Sequence, residues 1–342
     1  MSDPATEPSK DRVQLHKKFS EMGLRGYWQL ERDDFRMEPK IWRWKELHPV
    51  LMETTEVIRI GPDSFRRNVG LETGSRTVSF GFQIVLPGEK AAAHRHTNSA
   101  LRFVVSGGGA YTTSDGEPMT MQPGDLLIQP NFAWHDHANN SKEPIIWIDA
   151  LDSSLVNYLT ASFRDEWDEG LQQPLTKSDG TSRRLYGSIR QPNIELGSGV
   201  PYHYKWPETL EALETAAKEG TNDPYDAVLL EYKNPINGGS TFRTMTCYIQ
   251  MLPPGQTTKF HRHTGVTHYH VIKGNGTFVI DQKDAKEISW TEHDSFTLPP
   301  WRWHAHGNLS QTEPAILFSV TDRPLLKMTG LDREENGQPT RN

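Results

Sequence analysis

The sequence predicts a mainly β protein made of two jelly-roll β-barrels from an internal duplication, with helical N-terminal and inter-barrel segments. Three observations predict it. A histidine-rich segment, Leu86 to Thr97 (LPGEKAAAHRHT), returns as Leu252 to Thr264 (LPPGQTTKFHRHT), each with a glycine six residues before its first histidine. Trp134 to Asn139 (WHDHAN) returns as Trp303 to Asn308 (WHAHGN), at nearly the same distance downstream. Around both pairs, short β-branched and aromatic runs are punctuated by glycine and proline turns, the texture of a sandwich or barrel.

Taken in chain order, residues 1–50 form a helical or extended segment with a helix near Asp11 to Met22. The aromatic patch Trp42-Arg43-Trp44 is read as packing on the first barrel. Residues 51–152 form the first barrel. Its expected strands are Thr77 to Leu86, Ala100 to Val105, the LLIQP run after Pro123-Gly124-Asp125, and Ile145 to Ala150. Residues 153–239 link the barrels, with one helix expected over Ser154 to Trp167 and another over Glu208 to Lys218, opened by Pro207 and stopped by Gly220. Residues 240–328 form the second barrel, with strands at Thr244 to Leu252, His268 to Ile272, Phe296 to Pro299 and Ala315 to Val320. Residues 329–342 are a tail.

Composition excludes several classes of function. A net charge of -7 without a basic run argues against a nucleic-acid partner. No run of about 18 apolar residues is present, which excludes a membrane span. A single cysteine, Cys247, rules out an internal disulfide framework, and the polar N-terminus resembles no secretory signal. A cytoplasmic address is therefore expected.

Ten of the 14 histidines fall in or just after the repeated motifs. Residues i and i+2 of a strand share a face, so His94 and His96 project together, and a third imidazole from a neighbouring strand, supplied by the downstream W-H-x-H, completes a facial trio. Neutral imidazole is a common metal ligand, and three of them leave coordination positions open. Taken alone, one H-x-H is equally two polar residues on a solvated face; its recurrence with W-H-x-H favours the metal. Arg102 lies eight residues after His94, on the same face in a regular strand. A guanidinium there needs an anion, which Asp149 or a substrate carboxylate can supply. Gln83, Gly81 and Ser79 alternate on the strand before the HRH loop, and the last two are small enough to leave space beside the metal.

These residues resemble a known family. G-x5-H-x-H at Gly88 to His96, then Gly124, Pro130, His135 and Asn139, look like the two cupin motifs, so the duplication resembles a bicupin. More narrowly, HRHTNSALRF, PGD, WHDHANN and WIDALD resemble gentisate 1,2-dioxygenase and relatives that act on salicylate, substituted salicylates and 1-hydroxy-2-naphthoate. The chain departs from most cupins in having Ala100 and Leu101 where a glutamate ligand follows H-x-H.

The resemblance implies Fe(II) on His94, His96 and His135, and a homotetramer. It implies an aromatic ortho-hydroxy acid, bound through its carboxylate by Arg102, whose ring is opened by O2 between the carboxyl- and hydroxyl-bearing carbons. It also places Gln83 in the active site. His137 is then an acid–base or hydrogen-bonding residue, and Asp149 orients Arg102 or a ligand imidazole. Gentisate, salicylate and 5-substituted salicylates such as 5-nitrosalicylate rank ahead of 1-hydroxy-2-naphthoate. In the second copy Tyr269 stands in the place of Arg102, and His293 in that of the motif glycine, so catalysis is expected in the first barrel and a structural or interface role in the second. Rival readings are a non-catalytic, small-molecule-binding bicupin, an oxalate-type decarboxylase or a sugar-phosphate isomerase; the absent glutamate counts against the last two.

Overall fold

The computed structural model describes residues 10–24, 37–61, 63–187, 199–281 and 286–337. The chain divides into two units, Met1–Arg36 and Met37–Asn342. The first contains the helix Lys10–Glu21, with Asp11 in its first turn and Lys18 in its last, as the helix dipole favours. No described helix is long and apolar enough to cross a membrane.

In the second unit each copy contributes a six-stranded and a five-stranded sheet, and all four sheets are open rather than closed into barrels. The first six-stranded sheet runs Tyr202–Tyr204, Leu126–Gln129, Ala100–Ser106, Ile145–Leu151, Ser79–Val85 and Asn68–Gly70. Its counterpart runs Lys40–Trp42, Ser295–Leu298, Thr267–Lys273, Ala315–Thr321, Thr246–Leu252 and Val228–Glu231. The expected strands of both copies lie here, with ends shifted by a residue or two.

The edge strands were not foreseen. Lys40–Trp42, which precedes the first copy, pairs with Ser295–Leu298 of the second, while Tyr202–Tyr204, which precedes the second, pairs with Leu126–Gln129 of the first. Each leading strand is thus laced onto the other copy. The patch at Trp42 to Trp44 accordingly belongs to both halves: Trp42 pairs with Ser295, and the Trp44 ring lies 5.9 Å from Phe82 and 5.4 Å from His293. Each leading strand runs into a helix, Trp44–Val57 and Trp206–Lys218, whose first backbone N–H is capped across the junction by Asp294 and Asp125 respectively. The helix Trp44–Val57 continues through the boundary expected at residue 50.

The crossing follows from burial. Phe80, Phe82, Ile84, Leu101, Phe103 and Ile148 of one six-stranded sheet share the largest core cluster with Cys247, Ile249, Met251, Ile316, Phe318 and Val320 of the other. Phe103 and Phe318 stack at 4.2 Å. Both six-stranded sheets are covered on two faces, which explains why their central strands are near-continuous apolar runs. Asp152 accepts from Thr244 (2.7 Å) and Asp322 from Thr77 (2.7 Å), so equivalent bonds tie each copy's end to the other's beginning.

The helix expected over Ser154 to Trp167 stops early. Ser153–Tyr158 is helical, Thr160 turns the chain at φ 53°, and Arg164–Glu166 becomes a strand paired with Arg95 and its flanking histidines. Pairing with the exposed edge of the histidine strand outweighs the local helical pattern.

Candidate metal centre and active site

His94 and His96 lie on the strand Lys90–His96, and His135 opens the strand His135–Ala138, opposite His94 in the ladder. The ladder shifts register between Ala91 and His94, a bulge of the kind that re-aims side chains beside active sites. One ligand atom from each of the three imidazoles lies within 4.8 Å of the others. His96 Nδ1 is 2.9 Å from Asn98 O and His135 Nδ1 is 3.1 Å from Ala133 O, bonds that place the ring proton on Nδ1 and leave Nε2 free to ligate. His94 Nδ1 faces Ala92 O at 3.3 Å, the carbonyl to which Arg66 Nη2 donates (2.9 Å), and the Arg66 guanidinium stands 2.7 Å from that ring nitrogen.

Burial pushes His94 down to about 2 and His96 to about 4, with nearby guanidiniums acting in the same direction, and holds His135 well below the usual histidine range. All three are neutral at ordinary pH. An imidazole must be unprotonated to ligate a metal, so the trio fits a divalent cation.

The trio opens into a cavity of about 270 Å³. Arg102, Gln83 and Asp149 line it. Arg102 is 4% exposed, and its Nε lies 3.5 Å from Asp149 Oδ1. The carboxylate is already engaged, taking Trp147 Nε1 on Oδ1 (3.0 Å) and Asn68 Nδ2 on Oδ2 (3.0 Å). Arg102 Nε and Nη1 and Gln83 Nε2 are therefore buried without a hydrogen-bond partner among the described residues. Buried donors left in that state fit an anion or an oxygen-rich ligand.

Ser79 and Gly81 lie elsewhere. Ser79 Oγ donates to Leu151 O (3.2 Å), and neither residue lines the cavity. A Cβ on Gly81 would fall 2.5 Å from Val69 O and 2.8 Å from Gly70 Cα, so the glycine admits the neighbouring strand rather than opening space beside the metal. His137 is buried behind His135, its ring 6.1 Å away and its Nδ1 2.9 Å from Thr112 Oγ1; it is not among the lining residues.

The structure adds residues that sequence reasoning missed. Arg66, Asn68 and Asn98 enter from segments flanking the central strands, and Ser162, Phe163 and Arg164 from the segment read as helix. Arg66 sits in no motif. Burial, then the charges of Arg102 and Arg164, lowers it to about 9.

In the second copy His261, His263 and His304 form a looser group. His304 lies 4.2 Å from His261 and 5.2 Å from His263 between ring centroids, while His261 is flanked by Asp226 (3.7 Å) and Glu334 (3.8 Å). Among the described residues only the first trio brings its ligand atoms within 4.8 Å of one another. The adjoining cavity is about 60 Å³.

The fold defines a bicupin whose first half gathers three histidines that could hold a metal ion, and the Cupin domain family matches residues 81–151 and 248–321. The chain is 36% identical to 5-aminosalicylate 1,2-dioxygenase of a Comamonas species, over 94% of this chain and 89% of that protein. It is 37% identical to 1-hydroxy-2-naphthoate 1,2-dioxygenase of Nocardioides sp. strain KP7, over 93% and 86%. The crystal structure of salicylate 1,2-dioxygenase from Pseudoaminobacter salicylatoxidans with gentisate superposes with a TM-score of 0.87 at 26% identity, covering 98% of this chain and 96% of that one. The chain belongs to the family of gentisate and salicylate 1,2-dioxygenases, which are ring-cleaving oxygenases.

Proposed function

We propose that the chain is an Fe(II)-dependent dioxygenase that opens an ortho-hydroxybenzoate between its carboxyl- and hydroxyl-bearing carbons. Gentisate, salicylate and 5-substituted salicylates are the leading substrates. One observation carries this reading: the guanidiniums of Arg66 and Arg102 stand beside a neutral imidazole trio and share the cavity with one carboxylate, Asp149, while Arg164 at the same cavity is paired with Glu166 (2.6 Å). Such a surplus of positive charge in a site of low dielectric calls for an anionic ligand. Iron on His94, His96 and His135 supplies a redox-active centre with open positions for the acid and for dioxygen.

The chain's own groups do the positioning. Arg102 offers unpaired N–H groups to the substrate carboxylate, and Asp149 holds its fork in place. Arg66 adds a second cation at the ligand His94. Gln83 Nε2 donates to a substrate oxygen. His137, kept neutral by burial, stands behind His135 as a proton acceptor or hydrogen-bonding group. Relatives acting on 5-aminosalicylate and on 5-nitrosalicylate support a 5-substituted ring, and the Nocardioides relative supports 1-hydroxy-2-naphthoate as the second reading. The family resemblance supports a homotetramer, which sedimentation velocity tests, and the single cysteine supports a reducing cytoplasm.

The deciding experiment is anaerobic titration of iron-loaded protein with gentisate, salicylate and 5-aminosalicylate, followed by admission of oxygen. Uptake of one O2 per acid, with loss of the aromatic absorbance, is expected. Binding without uptake, unchanged when iron is removed, would instead identify a non-catalytic binding protein.

A further inference from the structure

Of the residues lining the catalytic cavity, only Leu151 and Phe163 are apolar; the rest are histidines, arginines, amides, hydroxyls and Asp149. An aromatic substrate brings a hydrophobic face into this polar space, so those two side chains are where it can be desolvated. Leu151 is half-buried, whereas Phe163 is 53% exposed, its phenyl not committed to the core.

Its backbone, by contrast, is held firmly. Thr97, directly after the ligand His96, donates its N–H to Phe163 O (3.1 Å), accepts Phe163 N–H on Oγ1 (2.7 Å) and also donates Oγ1–H to that carbonyl (3.2 Å). The final threonine of the repeated HRHT string is therefore a clasp that fixes a cavity wall relative to the metal ligands.

The second copy separates the clasp from the wall. Thr264 makes equivalent bonds to Arg333, and its Oγ1 reaches Leu331 O, but the residue in the place of Phe163 is Arg333, which does not line the small cavity there. The clasp is common to both copies; the phenyl belongs to the first alone.

Resting on the dioxygenase reading, we propose that Phe163 is a specificity-determining residue, the wall on which the substrate ring packs, and that Thr97 is its positioning residue. The carboxyl and hydroxyl edge of the acid faces the trio and Arg102. The opposite edge, which carries the 5-substituent, is left toward the half-exposed phenyl at the cavity mouth.

The test compares salicylate, gentisate, 5-aminosalicylate and 5-nitrosalicylate, reading kcat, KM and anaerobic Kd for the iron-loaded protein. Phe163→Ala should weaken salicylate binding by about tenfold, leave its kcat within about twofold, and raise the kcat/KM ratio of 5-nitrosalicylate to salicylate by about tenfold or more. Thr97→Val should move the ratio in the same direction by a smaller factor, and Thr97→Ser should restore it. An unchanged ratio, or an equal fall for every acid, overturns the proposal while leaving the dioxygenase reading intact. Absence of turnover of all four acids by the wild-type chain overturns both.

Discussion

The two halves of the molecule share a backbone plan and differ in what fills it. In the first, Arg102 faces Asp149, which faces Gly81; at the same register in the second, Tyr269 faces Ser319, which faces Tyr248. Beneath the ligands the contrast repeats. Thr112 opposite His137 becomes Phe278 opposite His306, Ser114 opposite His135 becomes Ile280 opposite His304, and Gln129 becomes Leu298. Aromatic and aliphatic side chains therefore pack beneath the histidines of the second half, with His306 stacked on Phe278 at 5.1 Å and neither of its nitrogens hydrogen-bonded among the described residues. Both copies keep the H-x-H and W-H-x-H pattern and polar groups beside it, Gln250, Thr321 and Arg323 among them in the second, but the second cavity measures about 60 Å³ against about 270 Å³ in the first.

The comparison breaks most sharply at the third ligand. His135→Ala should abolish metal retention and reduce oxygen uptake by more than about 10³-fold, whereas His304→Ala should leave turnover within a few-fold; metal analysis and an oxygen electrode read both. The opposite pattern would move the reaction to the second half. At the junction the halves should behave alike. Phe103→Ala and Phe318→Ala each remove one partner of the buried stack and should each cost about 3–5 kcal/mol in chemical denaturation; a large inequality would mean that the halves unfold separately.

Arg102→Ala should raise KM for carboxylate substrates by about 10- to 100-fold, the worth of one or two charge-assisted bonds. Tyr269→Phe should leave KM unchanged. A normal KM in the arginine variant would remove Arg102 from carboxylate recognition.

The smallest effect concerns acid. Burial pushes His268 down to about 4 and His270 and His306 to about 3. The unfolded chain protonates these residues near 6.5 and the folded chain does not, so their contribution to stability is present above 6.5 and is lost as pH falls from there toward 4. Buried Asp322, raised to about 6, acts in the opposite sense as pH falls through that value, and one carboxyl offsets only part of the effect of three imidazoles. Metal-free protein should therefore lose stability from pH 7 to pH 6. His306→Leu should reduce that slope by up to about 1.4 kcal/mol per pH unit, because the imidazole has no bonds to lose. An unaltered slope would show that His306 is solvated or hydrogen-bonded in solution.

What the residues determine by themselves is local and periodic. The duplication and the alternation that brings His94 and His96 to one face, with Arg102 eight residues on, follow from spacing, whereas His135, Gln83 and Asp149 are reached through the family resemblance, and the same alternation misplaces Ser79 and Gly81. Tertiary structure alone decided the rest. Arg66 reaches His94 across 28 residues and Phe163 reaches Thr97 across 66, from segments with no motif and, in the second case, a helical pattern. Gly81 is small because a neighbouring strand lies against it, and each leading strand pairs at the edge of the other copy's sheet across the shared core. Period and spacing encode which way a side chain points from its own strand; which distant segment meets it there is set by the burial of surfaces that form only when the two halves pack together.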